Sequence, residues 1–113
     1  MKKLIILEYF TSQSSIDLKK NRSIFQEALN ISNSIIKNFI KSNKIKKIIV
    51  IRNENLEILK SKKVSYYFTN IRVSYIEILK KLKPEKEIIL IAPETDKISL
   101  KILKNLNDFS EII

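Results

Sequence analysis

Lys47-Ile48-Ile49-Val50-Ile51-Arg52 sets four consecutive β-branched residues between two cations. A run this short, apolar at every position, leaves no face for solvent, as in a strand buried on both sides of a parallel sheet. The same pattern stands upstream in Lys3-Leu4-Ile5-Ile6-Leu7 and downstream in Glu87-Ile88-Ile89-Leu90-Ile91-Ala92. Val64 to Phe68 is a further strand, rich in aromatic and β-branched residues, and Phe109 to Ile113 begins a fifth.

Between these runs the apolar spacing changes from continuous to helical. After a polar segment from Thr11 to Asn21, the capping box Ser23-Ile24-Phe25-Gln26 predicts a helix start, since each end of such a box satisfies a backbone group of the first turn. Phe25, Ala28/Leu29, Ser32, Ile35/Ile36 and Phe39/Ile40 then form its inward stripe, with Glu27, Asn30, Asn33 and Lys37 outward. Glu54 to Lys60 reads as a short helix. Ser74 to Lys83 reads as another, with Ile76, Leu79 and Leu82 inward and Pro84 as its stop. A last helix runs from about Asp96 to Leu106, while Thr69 to Val73 fits no element. Strands and helices thus alternate. One α/β domain over residues 1–113 is expected, a Rossmann-like three-layer sandwich whose five-stranded parallel sheet has the order 3-2-1-4-5. Ile112-Ile113 falls inside an apolar strand, so the chain reads as a domain cut from, or separated from, something larger.

Absent residue types exclude much chemistry. With no cysteine and no histidine there is no disulfide, thiol nucleophile or imidazole base, and no zinc site of the usual kind. With no glycine, the P-loop and the glycine-rich dinucleotide loop are excluded as well, because both bring bare backbone against phosphates. Hydrophobic residues at 44% and charged residues at 30% fit a globular chain, and no apolar run nears the ~20 residues of a membrane span. Met1-Lys2-Lys3-Leu4-Ile5-Ile6-Leu7 opens like a signal peptide, but Glu8 interrupts it and no small-residue cleavage site follows promptly, so a cytoplasmic location is expected.

The net charge is +10, carried by 19 lysines and only three arginines, Arg22, Arg52 and Arg72. Isoleucine, lysine and asparagine fill 52 of 113 positions, a bias that AT-rich codons produce without any partner. Arginine, the preferred reader of phosphates and bases, is scarce. Nucleic acid is therefore not the expected partner. Lys41, Lys44, Lys46 and Lys47, then Lys60, Lys62 and Lys63, then Lys80, Lys81 and Lys83, and finally Lys101 and Lys104 follow or close the expected helices, where cations complement the helix dipole.

Ligands of an open parallel sheet bind beyond the carboxyl ends of its strands, where strand order reverses. Under the order 3-2-1-4-5 that crevice lies between strand one, ending in Glu8-Tyr9-Phe10-Thr11-Ser12, and strand four, ending in Ala92-Pro93-Glu94-Thr95-Asp96. Glu8, Tyr9, Thr11, Glu94, Thr95 and Asp96 are the candidate substrate-binding residues. An acidic notch repels phosphate and suits a cationic amine or a metal. Structural duties compete: Asp96 also suits the N-cap of the last helix, Pro93 the exit from strand four, and Glu8 a solvated strand end.

Leu4-Ile5-Ile6-Leu7-Glu8-Tyr9, then Ser23-Ile24-Phe25-Gln26-Glu27-Ala28, then Leu90-Ile91-Ala92-Pro93-Glu94-Thr95-Asp96 resemble the N-terminal domain of ATP-grasp carboxylate–amine ligases, and within them the tyramine–glutamate ligase group. Thr11-Ser12-Gln13-Ser14-Ser15 stands where that family usually carries glycine, and Ala28 where a glycine is frequent. The resemblance implies a pre-ATP-grasp domain that walls the substrate site without catalytic residues, cofactor or metal of its own. ATP and magnesium belong to the complete ligase, whose catalytic domains, joined in cis or in trans, are the implied partners, with a small amine or carboxylate as substrate and no membrane. The isolated domain is expected to be inactive. The alternative is a small basic α/β protein that binds RNA or another polyanion. A receiver-like signalling domain would need an aspartate after strand three, where the chain has Phe68-Thr69-Asn70.

Overall fold

The computed structural model describes residues 3–82 and the backbone of residue 2 and of residues 87–91. Four strands, β1 (Lys2–Glu8), β2 (Ile45–Asn53), β3 (Val64–Thr69) and β4 (Glu87–Ile91), form one parallel sheet in the order β3-β2-β1-β4. β1 is central. It pairs with β2 through Leu4↔Ile48 to Leu7↔Ile51 and with β4 through Leu4↔Glu87 to Glu8↔Ile91. The adjacency of strands one and four, and the order reversal between them, therefore agree with the sequence reading. The fifth strand (109–113) and the last helix (96–106) lie outside the described residues.

Alternation along the strands divides the core into two layers. Leu4, Ile6, Ile48 and Val50 pack with Ile36 of α1 (Arg22–Ile40), joined by Ile35 and Phe39 at the margin. Ile5, Leu7, Ile49 and Ile51 pack on the other face against Ile78 and Leu79 of α2 (Tyr75–Leu82). Both layers exclude solvent, which explains why β1 and β2 are apolar at every core position.

α1 starts before the expected capping box. Asp17 organises a turn in which its carboxylate accepts the N–H groups of Lys19 and Lys20 and its carbonyl accepts that of Asn21. Asn21 is the N-cap residue, without a side-chain cap bond. Ser23 is thus already helical, and Gln26 donates forward to Asn30 Oδ1 at 3.1 Å. At the other end Lys63 Nζ donates to the carbonyls of Ile40 and Ser42 at 2.8 and 2.9 Å, so one of the many lysines completes a helix terminus.

α2 is capped by Ser74, whose Oγ accepts the Glu77 N–H at 3.2 Å. Its buried face is Ile78 and Leu79 flanked by Tyr75 and Leu82, with Ile76 half-buried rather than central to the stripe.

The expected helix from Glu54 to Lys60 does not form. Asn53 Oδ1 accepts the Asn55 N–H in a tight turn, and Arg52 Nη1 donates to the Glu57 carbonyl at 2.7 Å. Tyr66 Oη brackets Leu59, accepting its N–H at 2.7 Å and donating to its carbonyl at 3.0 Å. Side chains thus take the backbone groups that a helix ladder would use. Residues 70–73 close a small turn, with Asn70 and Val73 exchanging backbone hydrogen bonds and Ile71 at the tip 84% exposed. Among the described residues, no helix is long and apolar enough to cross a membrane.

Candidate functional site

At the carboxyl end of β1 the chain turns sharply, and Glu8 makes the turn. The residue is only 4% exposed. Its Oε1 accepts the Thr11 N–H at 2.6 Å, its Oε2 the Phe10 N–H at 3.1 Å, and its carbonyl the Ser12 N–H at 3.1 Å. A carboxylate is suited to this duty because it offers only acceptors to backbone donors that would otherwise be orphaned. Thr11 and Ser12 are buried behind it.

The rest of the loop is drawn over β2 and β3. Asn53, which ends β2, donates its N–H to the Thr11 carbonyl at 2.6 Å and its Nδ2 to the carbonyls of Gln13 and Ser14 at 2.8 and 3.2 Å. Thr69, which ends β3, donates Oγ1 to the same Gln13 carbonyl at 2.9 Å. Gln13 Nε2 reaches back to the Tyr9 carbonyl at 2.6 Å. The glycine-free loop of this chain is therefore a closed polar plug, its carbonyls taken by the strand ends beneath it.

Tyr9 and Glu8 do not converge. Tyr9 packs against the α2 layer beside Val73, Tyr75 and Leu82 and meets Phe10 edge to face with centroids 5.4 Å apart. Burial, followed by the neighbouring Tyr9, pushes the Tyr75 phenol above its ordinary value. Glu8 and Thr11 are joined by a hydrogen bond, whereas Glu94, Thr95 and Asp96 lie outside the described residues.

Arg52, which the sequence reading treats only as the end of a strand, is the largest fully buried side chain, at 0% exposure. It stands on the α1 face of β2, in step with Ile48 and Val50. Nη2 donates to Ser32 Oγ and Asn33 Oδ1, both at 3.0 Å, Nη1 holds the Glu57 carbonyl, and the guanidinium lies 5.4 Å from the Tyr66 ring centroid. Burial pushes its pKa below the ordinary arginine value, while Tyr66 and Glu8 act in the opposite direction. It remains a cation at neutral pH. Its Nε is buried without a hydrogen-bond partner among the described residues. A signal was present in the sequence: Ser32 interrupts an otherwise apolar helical stripe, and Arg52 follows the strand that this stripe covers.

Beside Arg52, between the first turns of α1 and residues 55–57, lies an open cavity of about 550 Å³. No group of three or more acidic residues able to hold a metal ion occurs among the described residues. The chain matches no family model, no curated protein and no solved structure.

Proposed function

We propose that this chain is the non-catalytic, substrate-side domain of an ATP-dependent carboxylate–amine ligase of the ATP-grasp type. The observation that carries this reading is the register Glu8↔Ile91, which makes the carboxyl ends of β1 and β4 neighbours at the reversal of strand order. In sequence, only Ala92 and Pro93 stand between Ile91 and Glu94. In this reading the sheet continues to the order 3-2-1-4-5; Tyr9, Glu94, Thr95 and Asp96 border the amine or carboxylate, the buried Glu8 and Thr11 shape that border through their turn, and ATP and magnesium bind the catalytic domains. β3 is an edge strand in the described sheet, with Tyr67 and Phe68 exposed on its opposite faces, and its free edge is where a partner would dock in this reading.

The test is to purify the tagged chain under native conditions from its own cells and assay what accompanies it with Mg-ATP, glutamate and tyramine. ADP release that requires both carboxylate and amine is expected, with none from the isolated chain. No ADP release, or release indifferent to the amine, contradicts the reading.

Polyanion binding is the second reading. One observation favours it: Lys41, Lys44, Lys46, Lys47 and Lys62 are all exposed near the amino-terminal ends of β2 and β3.

A further inference from the structure

The cavity beside Arg52 has a composition that specifies a ligand class. Phe25 and Leu29, one turn apart on α1, and Leu56 from the segment after β2 give it a buried apolar lining. Leu18 adds a large apolar side chain that is 41% exposed at its margin. Lys19 and Arg22 bring two cations to the same space, against one carboxylate, Glu57. Asp17, nearby in sequence, already has a carboxylate oxygen engaged by the Lys19 and Lys20 N–H groups. The wall is held from behind, because Arg52 Nη1 anchors the Glu57 carbonyl and Nη2 anchors α1 through Ser32 and Asn33. A third, buried cation thus stands behind the lining, and both sides of the cavity are fastened to it.

We infer that this cavity binds a small organic carboxylate with an aromatic or branched hydrocarbon body. The volume of about 550 Å³ falls within the ~300–1,000 Å³ of small-molecule sites, and Gln26 and Asn55 add neutral polar groups to the lining. The apolar lining takes the body. Arg22 takes the carboxylate, its planar fork matching two oxygens, with Lys19 as a supporting charge. Two lining cations against one lining carboxylate favour an anion over an amine or metal cation, and the apolar lining disfavours inorganic phosphate. The site lies over the end of β2 on the α1 side. It is separate from the β1/β4 strand ends and does not depend on the ligase reading.

The test is a ¹⁵N–¹H NMR titration of the full 113-residue chain with 3-phenylpropionate, and in parallel with 3-phenylpropionamide, 3-phenylpropylamine and acetate. Saturable shifts confined to amides of residues 18–29 and 55–57 are expected with 3-phenylpropionate, and none with 3-phenylpropylamine or acetate over the same concentrations. The amide should bind at least about tenfold more weakly, as loss of a charge-assisted contact implies. Arg22 and Lys19 are exposed, so Arg22→Gln with Lys19→Gln should leave the rest of the spectrum intact while weakening 3-phenylpropionate about tenfold or more. Equal binding of amide and carboxylate, binding of the amine, unsaturable or scattered shifts, or unchanged affinity in the double variant would each overturn the proposal.

Discussion

Arg52 Nη2 donates to Ser32 Oγ at 3.0 Å, joining the end of β2 to the middle of α1 where neither residue is more than 1% exposed. The pair does what apolar packing does elsewhere along this helix, and it does so with a charge. A buried guanidinium is costly unless its donors are matched; Ser32, Asn33 and the Glu57 carbonyl match three of the five here, and Nε has no partner among the described residues.

Removal of the cation should therefore be costly. Arg52→Ala leaves a cavity and three unmatched acceptors, and a loss of about 3–5 kcal/mol is expected. Ser32→Ala leaves Nη2 bonded to Asn33 and should cost about 1–2 kcal/mol. Urea unfolding followed by circular dichroism measures both, and a smaller loss for Arg52→Ala than for Ser32→Ala would reverse this account.

Much of the fold is legible in the sequence because burial on both sheet faces leaves continuous apolar runs, as in Ile48 to Ile51 and Leu4 to Leu7. Alternation with amphipathic segments then implies the parallel order that sets β1 beside both β2 and β4. What escapes is where side chains capture backbone. Leu56 and Leu59 are spaced as in a helix, yet Arg52, Asn53 and Tyr66 take the polar groups around them. The capping box fails for a related reason, since the turn at Asp17 delivers the chain to α1 before Ser23. Of the candidate site, the position of Glu8 at the strand end is legible. Its use by its own turn is not, because that depends on the path of the next four residues. Arg52 is hidden by composition: one cation among twenty-two draws no notice until Ser32 is seen opposite.

The Glu8 turn separates a structural from a substrate role. Glu8→Gln keeps the shape but replaces one acceptor by a donor facing a backbone N–H. Loss of about 1–3 kcal/mol, with faster hydrogen exchange at Phe10 or Thr11, is the expected result. On the proposed ligase reading, a carboxylate that also serves the amine predicts a fall in the ligase's amine affinity larger than the unfolding data explain. Unchanged stability and unchanged amine kinetics would remove Glu8 from both roles.

Asn53 and Thr69 share the Gln13 carbonyl, so their contributions should not add. Asn53→Ala and Thr69→Val singly should each loosen the loop, and the double variant should lose less, or more, than the sum by about 0.5–1 kcal/mol or above. Strict additivity in a double-mutant cycle would mean that the plug is not a unit.

Tyr75 links the α2 layer to pH. Its phenol is raised above the ordinary value of 10.0, first by burial and then by Tyr9. The folded chain therefore holds this proton more tightly than the unfolded chain. Its contribution is complete below the ordinary value and is lost as pH rises through the folded one. Wild-type stability should decline from about pH 10 upward more steeply than that of Tyr75→Phe, which has no such proton to lose. Parallel curves for the two proteins would place the alkaline loss elsewhere.

The lysines at the amino-terminal ends of the strands divide into those with a structural task and those without. Lys63 is tied to the carbonyls of Ile40 and Ser42, so Lys63→Met should lower stability by about 1–2 kcal/mol with little effect on polyanion binding. Lys46 and Lys47 are exposed at the start of β2. Their replacement by glutamine should spare stability and weaken any binding to single-stranded RNA. If that binding is purely electrostatic, its logarithm falls linearly with the logarithm of salt, by about 0.7 per neutralised phosphate. Three to five exposed lysines at this pole would then give a slope of about −2 to −3.5, shallower by about 1.4 with Lys46→Gln and Lys47→Gln together. Titration of fluorescent oligo(U) and a mixed-sequence oligomer at several salt concentrations measures this slope. Sequence-selective binding that persists at high salt would require contacts to bases, which a face of lysines does not provide, and would make RNA recognition the leading function of the chain.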